Sequence, residues 1–284
     1  MNRNNVVLTG TGRSGTTLVC YLLNKLPNTV ALSEPIAPGK FENYMPDQEA
    51  VCDQIGLYYR RMRRRARKEG IVISKHVGGV VPDNTKGMVG GVRRRIADKG
   101  EIILDKELSA GFTLAIKQPG LFTALLPILA KRFPCYAVVR NPLAVMASVK
   151  SIQGRREKAR GRAAVRRYDP NFLGHRGNRE ANTPHDRLTT QFMRFDAYFD
   201  RYQRVLSRDQ ILRYEDIVTS GGRALKVIHP AALELDEPLE SKNLNPLYDR
   251  KEMLRLGERL LQSEGAYWNF YSRASVEELL AQLT

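Results

Sequence analysis

The stretch Val6-Val7-Leu8-Thr9-Gly10-Thr11-Gly12-Arg13-Ser14-Gly15-Thr16-Thr17-Leu18 decides how this chain is read. Its first residues have the apolar, β-branched character of a short strand. Gly10 and Gly15 then allow a tight turn that exposes backbone N–H groups. Leu18, Val19, Leu22, Leu23 and Leu26 follow at helical spacing, and Pro27 closes that helix. A glycine turn leading into a helix N-terminus is a cradle for an anion, most often a phosphate. Gly10, Gly15 and Thr17 fall into the register G-x-x-x-x-G-K-[ST], but Thr16 holds the lysine position and the nearby cation is Arg13. That lysine would reach the terminal phosphates of ATP, so its loss argues against an ordinary triphosphatase. The plainer alternative is a strand-turn-helix whose glycines serve only the turn. Arg13, Ser14, Thr16 and Thr17 crowded into one turn favour the anion site.

The rest of the chain sets bounds. Its 284 residues, 42% hydrophobic, suit one α/β domain or two small ones, and with no linker evident one domain over 1–284 is expected. A net charge of +16 favours anionic partners: nucleotides, nucleic acid, acidic glycans or a membrane surface. It does not choose among them. Cys20, Cys52 and Cys135 show no metal-ligand spacing and read as reduced core residues of a cytoplasmic protein. No signal peptide is expected, because the sequence passes almost directly into its first strand. No apolar run is long enough to span a bilayer.

Further strands are expected at 29–33, 112–116, 135–139 and 210–214, with a weaker edge strand at 102–104. Helices are expected at 122–132, from Pro142 to Ile152, at 188–206, 250–263 and 275–282. Residues 57–68 carry seven Arg or Lys in twelve positions, on every side of a helix, which suits either a solvated face or an anion-binding surface. Residues 78–91 read as loop and Arg93-Arg94-Arg95 adds charge. Residues 154–187 read as a mobile surface insertion, either a plain loop or a lid over the site. Alternating strands and helices predict one parallel sheet flanked by helices, a P-loop-type α/β fold. The glycine loop, Glu34, Lys117, Arg140 and Tyr214 then stand at carboxyl strand ends, where open α/β sheets bind ligands.

This set resembles the sulfotransferases that use 3′-phosphoadenosine-5′-phosphosulfate (PAPS), with motifs in that family's order from residue 6 to about residue 218. Gly12-Arg13-Ser14-Gly15-Thr16-Thr17-Leu18 resembles the 5′-phosphosulfate loop, with Arg13 as in the tyrosylprotein and many bacterial members. Arg140 and Ser148, eight positions apart, resemble the 3′-phosphate motif, and Tyr214-Glu215-Asp216 a third motif whose Tyr lies near the adenosine. Glu34, 21 residues after Arg13, resembles the catalytic base of the tyrosylprotein branch, and Lys117 its transition-state lysine. The stretch after residue 240, where a late cofactor loop belongs, matches poorly.

The resemblance implies catalytic roles for Arg13, Glu34 and Lys117, and cofactor contacts from Gly12, Arg13, Ser14, Gly15, Thr16, Thr17, Arg140, Ser148 and Tyr214. Arg13 and Lys117 would stabilise charge on the bridging oxygen, and Glu34 would take the acceptor's proton. No metal is required. The acceptor is expected to be a hydroxyl on a carbohydrate or small metabolite, with anionic acceptors favoured by the basic surface. Plainer roles stand beside these: a Glu34–Arg13 salt bridge, a solvated Lys117, and Glu215 and Asp216 capping the next helix, favoured for those two. His76 is a lesser candidate for the base. The rivals are a P-loop small-molecule kinase and a basic nucleic-acid-binding protein, the latter disfavoured because it leaves the Arg140/Ser148 spacing unexplained.

Overall fold

A computed structural model of the chain describes residues 3–90, 92–151, 163–172 and 187–283. Five strands form one parallel sheet in the order β2-β7-β1-β8-β9. These are β1 (Asn5–Gly10), β2 (Thr29–Ser33), β7 (Thr113–Lys117), β8 (Cys135–Val139) and β9 (Ile211–Arg213). Strands β1, β2 and β7 are buried along their whole length, as expected of parallel strands covered on both faces by helices. The expected α/β architecture with a parallel sheet is therefore observed.

The chain winds outward from β1 to β2, returns through β7, and crosses to β8 on the other side of β1. The order in which strands are added reverses at β1, while all five run parallel, which puts a crevice at that strand's carboxyl end. The turn after β1 feeds α1 (Thr16–Leu23), whose buried face includes Val19, Leu22 and Leu23. Helix α2 (Gln48–Lys68) packs Val51, Ile55, Tyr59 and Met62 into the core, with Asp47 capping its first turn. Part of its basic charge is structural. Arg63 donates to the carbonyls of Asn4 and Phe112 and lies over the Phe112 ring, tying α2 to the sheet.

Helices α3 (Pro119–Ala124) and α4 (Leu126–Leu129) replace the single helix expected at 122–132, because Pro127 interrupts the ladder. Helix α5 (Pro142–Lys150) opens with Pro142 in its first turn and Asn141 as its cap, Oδ1 accepting from the Leu143 N–H at 3.0 Å. Helix α6 (Arg187–Val205) buries Phe199 and Tyr202, so its aromatics are core. Helices α7 (Tyr214–Thr219), α8 (Arg250–Leu261) and α9 (Arg273–Ala281) complete the chain.

Two antiparallel ribbons lie between β2 and β7 in sequence. One pairs β3 (Ile71–His76) with β6 (Asp98–Ile103); the other pairs β4 (Lys86–Val89) with β5 (Val92–Arg95). Part of the expected 78–91 loop is thus a strand, and the expected 102–104 edge strand begins earlier, at Asp98. Local turn residues dominated the sequence pattern there, whereas cross-strand pairing sets the observed structure. The insertion expected at 154–187 falls mostly outside the described residues, although 163–168 within it is helical. Cys20, Cys52 and Cys135 are buried free thiols. No described helix is long and apolar enough to cross a membrane.

Candidate active site

The carboxyl ends of the parallel strands open into a cavity of about 940 Å³. Its walls carry ten Lys or Arg side chains against three Asp or Glu, so an anion is the species it suits. The glycine turn forms its floor. Gly15 caps α1 in the left-handed region at φ 88° without a side-chain hydrogen bond, leaving first-turn N–H groups directed at the cavity. A Cβ at Gly15 would lie 2.6 Å from Tyr214 Cδ2, and one at Gly10 would lie 2.4 Å from the Val138 carbonyl oxygen. Both positions therefore require glycine. Arg13 (φ 74°) and Glu34 (φ 48°) also sit in the left-handed region, which non-glycine residues rarely adopt.

Two clusters flank this turn. At the β2/β7 side, Glu34 accepts from Lys117 Nζ at 2.7 Å through one oxygen and from Lys75 through the other. Lys117 is 3% exposed and also donates to the Thr17 hydroxyl at 3.3 Å. The Glu34 N–H donates to the Lys117 carbonyl at 2.7 Å, so backbone and side chain lock the pair together. Burial alone would raise the Glu34 carboxyl, but the Lys117 and Lys75 charges outweigh it and hold the group well below the ordinary range. The Glu34–Arg13 salt bridge considered from sequence does not form; the lysines take the carboxylate instead. Lys117 is correspondingly a paired, buried cation rather than a solvated one.

At the β8/β9 side, Arg140 is 4% exposed. Its Nη1 donates to the Arg13 carbonyl at 3.1 Å, its Nε to Asn243 Oδ1 at 2.8 Å, and its guanidinium lies 4.5 Å over the Tyr214 ring. Its Nη2 is buried without a hydrogen-bond partner, as is the hydroxyl of Tyr248, another cavity residue. Ser148, fully buried on α5, accepts from Arg13 Nε at 3.0 Å. Burial would raise the Tyr248 hydroxyl pKa, but Arg140, the Ser148 hydroxyl, Arg93 and Arg13 together bring it below its ordinary value. These guanidinium groups and the two unpartnered groups make a pocket that an oxyanion would satisfy.

The remaining expected residues divide. Gly12, Arg13, Gly15, Thr16, Thr17 and Tyr214 line the cavity. Ser14 and Ser148 do not: the buried Ser14 hydroxyl bonds Thr11 inside the turn, and Ser148 is buried against Arg13. Arg13 donates to Ser148 and, at 3.5 Å, to Asn84 Oδ1, whereas Lys117 donates to Glu34 and Thr17, so the two cations contact different clusters. Glu215 is no simple helix cap. It accepts from the Asn141 N–H and the Asn243 amide at 3.0 Å each and from the Tyr271 hydroxyl at 2.8 Å, bracing the segment that carries Asn243. His76 accepts from the Gly79 N–H at 3.0 Å in a turn and does not line the cavity.

Lys75, Arg93, Asn243 and Tyr248 were not expected. The Arg93-Arg94-Arg95 run and the Lys75-His76 strand end carried a weak charge signal; Asn243 and Tyr248 carried none, since only tertiary approach places 242–248 against Arg140. No family model matches the chain, and no characterised protein matches its sequence.

Proposed function

We propose that the chain is a sulfotransferase that moves a sulfuryl group from PAPS to an acceptor hydroxyl on a carbohydrate or small metabolite. The observation that carries this reading is one cavity that holds both the glycine turn at the end of β1 and the Arg140 pocket beside it at the end of the neighbouring strand β8. The two together suit a nucleoside bearing one anion at each end. The buried, unpartnered Arg140 Nη2 and Tyr248 hydroxyl fit the nucleotide's 3′-phosphate, and the open amides of the Gly15 turn fit its 5′ end.

PAPS, when bound, supplies a sulfuryl group on a phosphate leaving group. Lys117 is the cation nearest the loop on the Glu34 side and neutralises charge that builds on the leaving oxygen. Glu34 takes the acceptor proton. Two ammonium groups suppress its basicity at rest; as one turns to the reacting centre, the carboxylate regains it. Lys117 also occupies the Thr17 hydroxyl, the group that holds magnesium in a triphosphate-binding loop, which weighs against an ATP-dependent kinase.

Thermal shift with adenosine 3′,5′-bisphosphate, ATP with magnesium, and duplex DNA tests the reading. Stabilisation by the bisphosphate over both others is expected. A preference for ATP with magnesium, or for DNA, overturns it.

A further inference from the structure

The β3–β6 ribbon places Lys75 and Lys99 directly opposite each other, and both line the cavity. Like charges facing across a ladder destabilise it. One carboxylate beside them, Glu34, is already shared by Lys75 and Lys117. On the same face of the ribbon two residues on, Glu101 pairs with Arg65 at 2.7 Å. Asp98 pairs with Arg95 at 3.3 Å. Among the described residues no acid is paired with Lys99. Lys99 is exposed at the rim, and partial desolvation with the Lys40 and Lys75 charges lowers its pKa. The ribbon thus presents a cation without a carboxylate partner at the mouth of the cavity, one lysine away from the candidate base.

We propose that Lys75 and Lys99 form a subsite for an oxyanion carried by the acceptor itself. The acceptor is then a sugar or metabolite bearing a carboxylate, sulfate or phosphate close to the hydroxyl that reacts. The inference rests on the sulfotransferase reading, because it takes Glu34 as the point where the hydroxyl docks. It adds a coupling: an acceptor anion that draws Lys75 toward Lys99 relieves Glu34 of one of its two cations. A charged acceptor so positioned both docks and frees the base, whereas a neutral one does neither.

The test is calorimetric titration of glucose, glucuronate and glucose 6-phosphate into protein saturated with adenosine 3′,5′-bisphosphate. The two charged sugars separate a carboxylate source from a phosphate source. At least one should bind about tenfold more tightly than glucose. Lys99→Met should remove that preference and Lys99→Arg should keep it. Thermal denaturation of Lys99→Met should show no loss of stability, since a repulsion is removed. Two results overturn the subsite: equal affinity for all three sugars, or a preference that survives unchanged in Lys99→Met. Failure of the bisphosphate to bind in the first place overturns the sulfotransferase reading instead, and the subsite with it.

Discussion

Glu34 is held by two lysines, and that arrangement makes separable predictions about it. On the proposed reading it is the base, a role worth on the order of 100-fold or more in turnover. Glu34→Gln should therefore lower kcat by that factor with little change in bisphosphate affinity, measured by single-turnover assay and calorimetry. Its pKa is depressed on folding by Lys117 and Lys75. Such a carboxyl contributes stability above its unfolded value, about 4.3, and loses it as pH falls through the lower folded value. The urea midpoint of the wild type should exceed that of Glu34→Gln at neutral pH, and the gap should narrow on acidification below about pH 4. Tyr248 separates stability from binding. Its buried hydroxyl makes no full hydrogen bond in the free protein, only an approach to the Ser148 hydroxyl, so Tyr248→Phe should change the free protein's stability little. The same change should weaken bisphosphate binding by roughly 10- to 100-fold, the worth of a hydrogen bond to a charged group. Affinity for adenosine 5′-monophosphate should stay unchanged.

The glycine turn is where backbone geometry limits substitution most. At Gly10 an added Cβ meets the Val138 carbonyl of the neighbouring strand, which cannot move without breaking the sheet. At Gly15 it meets the Tyr214 ring, a side chain rather than sheet backbone. Gly10→Ala should therefore destabilise more than Gly15→Ala, each by at least the roughly 1–3 kcal/mol of a strained backbone, in chemical denaturation. Gly15→Ala should also weaken the bisphosphate by displacing the first-turn amides. The turn and its flanking elements were legible in sequence because the apolar run, the glycines and the helical periodicity are all local. The β4–β5 ribbon was not, because its partner strand is what makes Lys86–Val89 a strand.

The ten cations of the cavity act together on anything that approaches. Long-range attraction is screened when the Debye length falls from about 10 Å at 0.1 M salt to about 3 Å at 1 M. Bisphosphate affinity should fall over that range yet persist, since Arg140 and Tyr248 are buried where screening is weak. Duplex DNA, held only by exposed charge, should be lost entirely. Isothermal titration of both ligands across the salt series measures the difference.

The parallel α/β fold and the strand ends that carry Gly15, Glu34, Lys117, Arg140 and Tyr214 were readable from the chain, because strand, turn and helix signals are written in neighbouring residues. Which charges meet is set by the packed fold. Lys75 rather than Arg13 shares Glu34 with Lys117, Arg13 turns to Ser148, and Asn243 reaches Arg140. Long flexible side chains choose partners by distance in space, and spacing along the chain carries no record of that distance.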